Sequence, residues 1–162
     1  MKSLHLGLRQ RRSPSLESSF FDREMPAEWR VAFLLNEHDA LWVGADDPDV
    51  ETVLAELDDS PNEVFVVVED AAWSPAWQAR VDASQHVVVR LDEDTPLWRP
   101  DAATAPAVVG LVPASDQPAD LHAWLAAFLD QAPAGAALFV DGEPASTATV
   151  DRLRTLLELM GR

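Results

Sequence analysis

Short runs of valine, leucine and phenylalanine alternate along this chain with segments in which apolar residues recur at helical spacing. Continuous apolar runs of about five residues are typical of strands covered on both faces, and their alternation with helices is typical of parallel strands. The pattern predicts strands at Leu4–Leu8, Val31–Leu35, Ala40–Val43, Val64–Val68, His86–Leu91, Val108–Val112 and Ala136–Val140.

The helical segments carry apolar residues three and four positions apart. Val50, Val53 and Leu57 follow this spacing directly after Asp47-Pro48, a capping residue and a proline suited to a first turn, so a helix is predicted from Pro48 to Leu57. By the same criteria we predict helices around Leu16–Phe21, at Pro75–Ala83, along the stripe Leu121–Leu129 and from Thr149 to Met160.

This order predicts a single α/β domain over residues 1–162, with a mainly parallel sheet of five to seven strands flanked by helices. A full TIM barrel takes about 250 residues, so an abbreviated TIM-barrel-like fold and an open doubly wound sheet both fit. Two long polar segments interrupt the pattern. Residues 9–28 and the Pro-, Ala- and Asp-rich residues 92–106 are predicted to be loops.

The composition removes several classes of chemistry. The chain has no cysteine, which excludes disulfides, thiolate metal sites and cysteine nucleophiles. Its N-terminus lacks the apolar core of a secretory signal, and no stretch approaches the roughly 18 apolar residues of a membrane span. We therefore expect a cytoplasmic protein without a membrane partner.

The charge is unevenly distributed along the chain. The formal net charge is −16, yet residues 1–30 carry +2, so the rest of the chain carries −18. A field of this sign repels nucleic acids and attracts cations and basic proteins. We expect no nucleic-acid partner and regard a basic protein as the partner that this surface suits, with solubility as the alternative role of the charge. The oligomeric state is not predicted.

The common catalytic and cofactor signatures are missing. The sequence contains no GxGxxG, GxxxxGK[ST], GxSxG or HExxH pattern. No nucleotide-binding motif and no particular cofactor are therefore predicted, although acidic side chains leave a divalent metal open.

Polar residues that follow the predicted strands are the candidates for a site, because ligands bind at the carboxyl ends of parallel strands. Glu37, His38 and Asp141 are the candidate catalytic residues, with His38 as a base oriented by its acidic neighbours. Glu37, Glu69 and Asp141 are the candidate oxygen ligands for Mg²⁺ or Ca²⁺. The alternatives are an ordinary turn histidine and ordinary loop carboxylates.

One basic patch stands out against the acidic background. Arg9, Arg11 and Arg12 are followed by Ser13 and Ser15, and guanidinium groups beside hydroxyls suit a phosphate or carboxylate ligand. The alternative is that these arginines pair with the protein's own acidic side chains.

Two stretches of the chain resemble the YecE-like family of TIM-barrel proteins. They are residues 20–30 (FFDREMPAEWR), and residues 137–141 (ALFVD) together with Arg152-Leu153 and Leu156-Leu157 in the helix that follows. The resemblance covers about a quarter of the chain and implies a TIM-barrel-like fold. The glycine- and tryptophan-bearing motif of that family's first strand is replaced by His5-Leu6-Gly7-Leu8-Arg9, and no functional residue is carried over.

Two hypotheses for function follow. The first is a non-catalytic binding or regulatory domain, acting through its acidic surface or through a pocket at the strand ends. The second is a small, metal-assisted or metal-free hydrolase that acts on an anionic small molecule at the carboxyl ends of the strands. Whether the protein is an enzyme is not assigned.

Overall fold

The computed structural model describes residues 4–22, 24–83, 85–102 and 106–161. The strands in these ranges are β1 (Leu4–Leu8), β2 (Ala40–Val43), β3 (Phe65–Glu69), β4 (Val87–Leu91), β5 (Leu97–Trp98), β6 (Val109–Pro113) and β7 (Ala136–Asp141). The helices are α1 (Leu16–Ser19), α2 (Ala27–Glu37), α3 (Val50–Asp59), α4 (Pro75–Ala83), α5 (Pro118–Gln131) and α6 (Thr147–Leu159), with a 3₁₀ turn over Asp70–Ala72.

The strands form two parallel sheets. One has the order β1-β7-β6-β5 and the other the order β2-β3-β4, and every pairing within them is parallel. β1 lies beside β2 in the same direction, because the Leu6 amide donates to Asp39 Oδ1 at 2.9 Å and Arg9 lies over the Trp42 ring. The predicted α/β class with mainly parallel strands is confirmed.

Apolar side chains fill three regions around these sheets. On the outer faces, α5 and α6 pack against the first sheet, and α2, α3 and α4 pack against the second. The third region is an inner cluster between the sheets, made by Ala40, Trp42, Phe65, Val67, Val109, Leu111, Ala137 and Phe139. Its members are alternate residues of β2, β3, β6 and β7, as the two-residue period of a strand requires.

The prediction of a strand at Val31–Leu35 is wrong, because this segment lies inside α2. Val31 and Leu34 are buried on one face of the helix against the second sheet. Phe33 packs instead against the cluster around the first sheet, so α2 has apolar residues on two sides. A helix that contacts two clusters has a continuous apolar run, which is also the pattern of a buried strand.

The two predicted loops contain short elements of their own. Residues 9–28 include α1 and the first two residues of α2. Residues 92–106 include β5, which places Leu97 in the inner cluster and Trp98 in the outer one. β5 therefore extends the first sheet by one short strand.

Gly7 is a position at which the two sheets come close together. A Cβ atom added there would overlap the carbonyl group of Ala40 and would touch the Ala40 side chain at 3.1 Å. Since the obstacle is backbone, it has no rotamer by which to move away.

We expect Gly7→Ala to lower the free energy of unfolding by about 3 kcal/mol, because the two strands must separate to admit the methyl group. Urea denaturation at neutral pH measures this change. Gly44→Ala is the matched control: its Cβ would meet no atom closer than 3.5 Å, and its cost should be below about 1 kcal/mol. Equal losses in the two variants would contradict the close approach of β1 and β2.

Candidate functional site

Five polar or aromatic residues meet where the strands end. Arg9 and Gln10 follow β1, Trp42 lies on β2, and Glu69 and Asp141 end β3 and β7. We call Arg9, Gln10, Trp42, Glu69 and Asp141 the rim cluster. Its position agrees with the expectation that ligands of parallel α/β proteins bind at the carboxyl edge.

A chain of contacts crosses the rim cluster. Arg9 Nη1 donates to both carboxylate oxygens of Asp141, at 3.1 and 3.3 Å. The Arg9 guanidinium lies over the Trp42 ring, 5.2 Å from its centroid, and Trp42 Nε1 donates to Glu69 Oε2 at 2.8 Å. The two acidic strand ends are thus connected through one arginine and one indole.

The strand period explains how Glu69 and Asp141 reach this position. Glu69 is two residues beyond Val67, and Asp141 is two residues beyond Phe139. Val67 and Phe139 both belong to the inner cluster, so the next alternate side chain on each strand continues on the inward side. The alternation that buries Val67 and Phe139 therefore places Glu69 and Asp141 where the inner cluster ends, at the carboxyl ends of β3 and β7.

Asp141 is held as a carboxylate. Its partial burial acts to raise its pKa, but the hydrogen bond from Gln10 and the charge and hydrogen bonds of Arg9 together lower that pKa below its usual value. Gln10 donates from Nε2 to Asp141 Oδ1 at 2.5 Å and accepts from the Gly142 amide at 2.8 Å, which fixes its orientation. Asp141 therefore acts as a fixed negative charge that positions Arg9.

Arg11 is buried and serves the fold. Its Nε donates to the Trp42 carbonyl at 2.7 Å, and its two Nη atoms donate to Asp47 and Asp49 at 2.8 to 2.9 Å. The side chain of Asp47 also accepts from the Gly44 amide at 2.7 Å. Arg11 thus joins the segment after β1 to the turn after β2, which is the internal pairing considered from the sequence.

Arg9 and Arg12 differ from Arg11 because their side chains reach solvent. They are 37% and 47% exposed, whereas Arg11 is 4% exposed. The carboxylate found nearest to Arg12 in the described ranges is Asp47, at 3.9 Å. Arg9 and Arg12 line a groove of about 430 Å³ that Trp42 and Glu69 also border. We call it the rim groove.

A second cavity has a volume of about 470 Å³. Arg99, Pro113 and Trp124 line it together with Asp141. Arg99 Nη1 is 3.9 Å from Asp141 Oδ2, so Asp141 contacts both Arg99, which lines this cavity, and Arg9, which lines the rim groove.

Glu37 and His38 do not belong to the rim. They lie at the end of α2 and directly before β2, at the edge where the strands begin, because the segment before them is a helix and not a strand. His38 is buried and stacks on Phe20 at 5.6 Å. The structure therefore separates Glu37 and His38 from Asp141, and the three do not form a common catalytic site.

The candidate metal ligands are divided in the same way. Glu69 and Asp141 lie at the carboxyl edge, while Glu37 lies at the opposite one. Among the described residues, no group of three or more acidic or histidine side chains is placed to hold a metal ion. Glu69 and Asp141 instead accept hydrogen bonds from Trp42, Gln10 and Arg9.

Arg9, Glu69 and Asp141 lie at one edge, as the sequence predicts, but Gln10, Trp42 and Arg99 are not among the residues that it singles out. The two-residue period of β2 could have indicated Trp42, because it places Trp42 on the same inward face as Ala40. None exists for Arg99, because the two-residue strand that positions it lies in a segment without an apolar run.

Comparisons with family models, curated proteins and solved structures find no match to this chain. Within the ranges that the structure describes, no helix combines the length and the apolar character needed to cross a bilayer. Function is consequently inferred from the geometry of the rim cluster and its groove.

Replacing Arg11 tests its structural role. We expect Arg11→Gln to lower the free energy of unfolding by about 3 kcal/mol, because Asp47 and Asp49 lose a buried cationic partner. Arg90→Gln is the control, since Arg90 pairs with Asp70 at the surface and should lose about 1 kcal/mol or less. Chemical denaturation of both variants at pH 7 measures the difference, and similar losses would contradict the assignment.

His38 makes stability depend on pH. Burial, assisted by the charge of Arg154 and opposed by Asp39, lowers the pKa of His38 from 6.5 to about 4. Between these values the unfolded chain binds the proton and the folded one does not. The stability that His38 contributes is therefore present above pH 6.5 and is lost as the pH falls toward 4, by about 3 kcal/mol in total.

We expect His38→Phe, which keeps a ring against Phe20, to flatten the fall in stability between pH 6.5 and pH 4. Urea denaturation at several pH values measures the slope of the free energy of unfolding against pH. His122→Gln is the matched control, because it changes an exposed histidine of α5. A wild-type slope that His38→Phe does not alter would show that His38 is not the titrating group.

Proposed function

We propose that this protein is a non-catalytic binding domain, that the rim groove is its binding site, and that its ligand is a small molecule with a carboxylate or phosphate group. The observation that carries the proposal is that two half-exposed guanidinium groups, those of Arg9 and Arg12, line one groove at the carboxyl edge. Such groups bind carboxylates and phosphates through paired hydrogen bonds.

Arg9 is oriented before any ligand arrives. Its Nη1 is held by Asp141 and its guanidinium carbon lies over the Trp42 ring, so little side-chain freedom is lost on binding. Within the described ranges, its hydrogen bonds to Asp141 use only Nη1, which leaves Nε and Nη2 for an anion. Arg12 makes only the long contact to Asp47 there.

The groove also contains acceptors, and these narrow the ligand class. Glu69 borders the groove with one oxygen held by Trp42, and Glu143 lines it as well. A purely anionic ligand would be repelled by these carboxylates. We therefore expect a ligand that carries a hydroxyl or amino donor beside its anionic group.

The hydrolase hypothesis has less support from the geometry. It requires an acid and a base within reach of the same bond. Glu37 and His38 lie at the other edge, and Asp141 is kept ionised by Arg9 and Gln10. Glu69 and Glu143 are the carboxylates of the groove on which a hydrolytic activity would depend, and the Trp42 indole occupies only one oxygen of Glu69.

A second proposal concerns the arrangement of the two sheets. We propose that the two sheets form the wall of an abbreviated barrel. The order of the strands, the position of β1 beside β2 and the inner cluster between the sheets support it. The resemblance to the YecE-like family and the cytoplasmic location stay predictions.

Isothermal titration calorimetry with citrate and with inorganic phosphate tests the binding site. We expect Arg9→Gln and Arg12→Gln each to weaken binding about tenfold or more, because a charge-assisted hydrogen bond contributes roughly 1.5 to 3 kcal/mol. Arg80→Gln is the control, since it makes the same charge change on α4, at a residue that pairs with Asp58. We also expect citrate to bind more tightly than tricarballylate, which lacks its hydroxyl group.

Equal weakening by Arg80→Gln would show that only net charge matters and would contradict the site. Incubation with para-nitrophenyl phosphate separates binding from catalysis. Turnover that Glu69→Gln or Glu143→Gln abolishes would favour the hydrolase and overturn the non-catalytic proposal.

A further inference from the structure

β4 is the least protected strand of the two sheets. It ends the second sheet, pairs with β3 alone, and is partly or largely exposed along its whole length. β2 and β3 are buried along nearly all of theirs. The next strand, β5, has two residues and pairs with β6. Among the residues that the structure describes, no strand pairs with the outer edge of β4, which is therefore an open edge of the sheet.

The backbone groups on that edge can be identified from the strand period. The Val87 amide donates to the Val64 carbonyl of the chain beside it, at 3.1 Å. Alternate residues point their backbone groups to opposite edges, so the amides of Val88 and Arg90 and the carbonyl of Val88 point outward. The carbonyl of Arg90 accepts from the Thr95 hydroxyl at 3.2 Å.

An apolar groove of about 370 Å³ lies beside this edge. Phe65, Val87, Val89 and Val108 line it, together with residues 133–136 at the start of β7. Val87 and Val108 are 36% and 38% exposed, among the most exposed large apolar residues of the described ranges. A strand added to β4 would direct alternate side chains to the face of the sheet on which Val87 and Val89 line this groove.

Acidic residues lie at both ends of the edge. Residues 92–94 are Asp-Glu-Asp, follow β4 directly and are exposed. Glu63 lines the groove at the end where β4 begins, with a side chain that is 42% exposed. The basic residue of β4 is Arg90, which pairs with Asp70 and stacks on Trp73. The edge thus presents an apolar centre between two negative ends.

We propose that the open edge of β4 docks an extended segment of a basic protein, which adds to the sheet as a further strand. Aliphatic side chains of that segment occupy the groove, and lysine or arginine residues at its two ends contact Glu63 and residues 92–94. Charge selects this occupant over a second copy of the chain, because two copies would each bring a net charge of −16 and the same acidic ends. The inference is independent of the rim groove.

Fluorescence anisotropy with a labelled peptide tests the proposal. The probe is a nine-residue amidated peptide with alternating valine and threonine at its centre and two lysines at each end. Val87→Lys places a cation in the groove and should weaken binding about tenfold or more. The matched control is Val81→Lys, since Val81 is a similarly exposed valine on α4 and should leave binding unchanged.

A measurement on the wild-type chain keeps the test valid if Val87→Lys fails to fold. In residue-resolved hydrogen exchange, the peptide should slow exchange of the Val88 and Arg90 amides and leave that of Val87, which already donates to Val64. The same peptide with glutamates in place of lysines should not bind.

Four results would overturn the proposal. They are absence of binding, equal binding by the two lysine variants, equal binding of the glutamate peptide, and exchange at Val88 and Arg90 that the peptide does not change. Analytical ultracentrifugation adds a fifth: concentration-dependent dimers of the wild type that Val87→Lys abolishes would assign the edge to a second copy of the chain.

Discussion

The contact between β1 and β2 is the constraint on which the rest of the structure depends. These strands join the two sheets, yet they belong to different hydrogen-bonded ladders. Gly7 allows the backbones to approach, and the Asp39 side chain accepts the Leu6 amide in place of a backbone partner. Because the sheets meet there in the same direction, their inner faces share one apolar cluster and their carboxyl ends gather at one edge.

The rim cluster shows how acidic residues can build a cationic site. Asp141 orients Arg9, and Asp47 and Asp49 fix Arg11, which in turn holds the Trp42 carbonyl. The carboxylates position guanidinium groups, so the exposed Arg9 and Arg12 side chains of the groove are opposite in sign to the net charge of the chain. Composition alone therefore gives the sign of the long-range field but not the chemistry of the site.

The sequence predicts the parts of this structure that depend on local periodicity. The predicted bounds of β1, β2 and α4 are the observed ones, and Arg9, Glu69 and Asp141 lie at one edge as expected. The errors arise where long-range contacts determine the secondary structure or the burial of a residue. α2 has the apolar run of a strand because it packs against two clusters, and this error moves Glu37 and His38 to the wrong edge. The burial of Arg11 depends on the turn after β2 returning beside β1, which no local pattern reveals.

The open edge of β4 also gives the acidic composition a colloidal role. An edge that can accept a foreign strand can accept an identical one, and repulsion between like molecules opposes that encounter. The isoelectric point is about 4.3, where this repulsion disappears. Acidification to that value removes the electrostatic barrier while the valine-rich strand remains uncovered, so filaments or precipitates built from β4 contacts become accessible under those conditions.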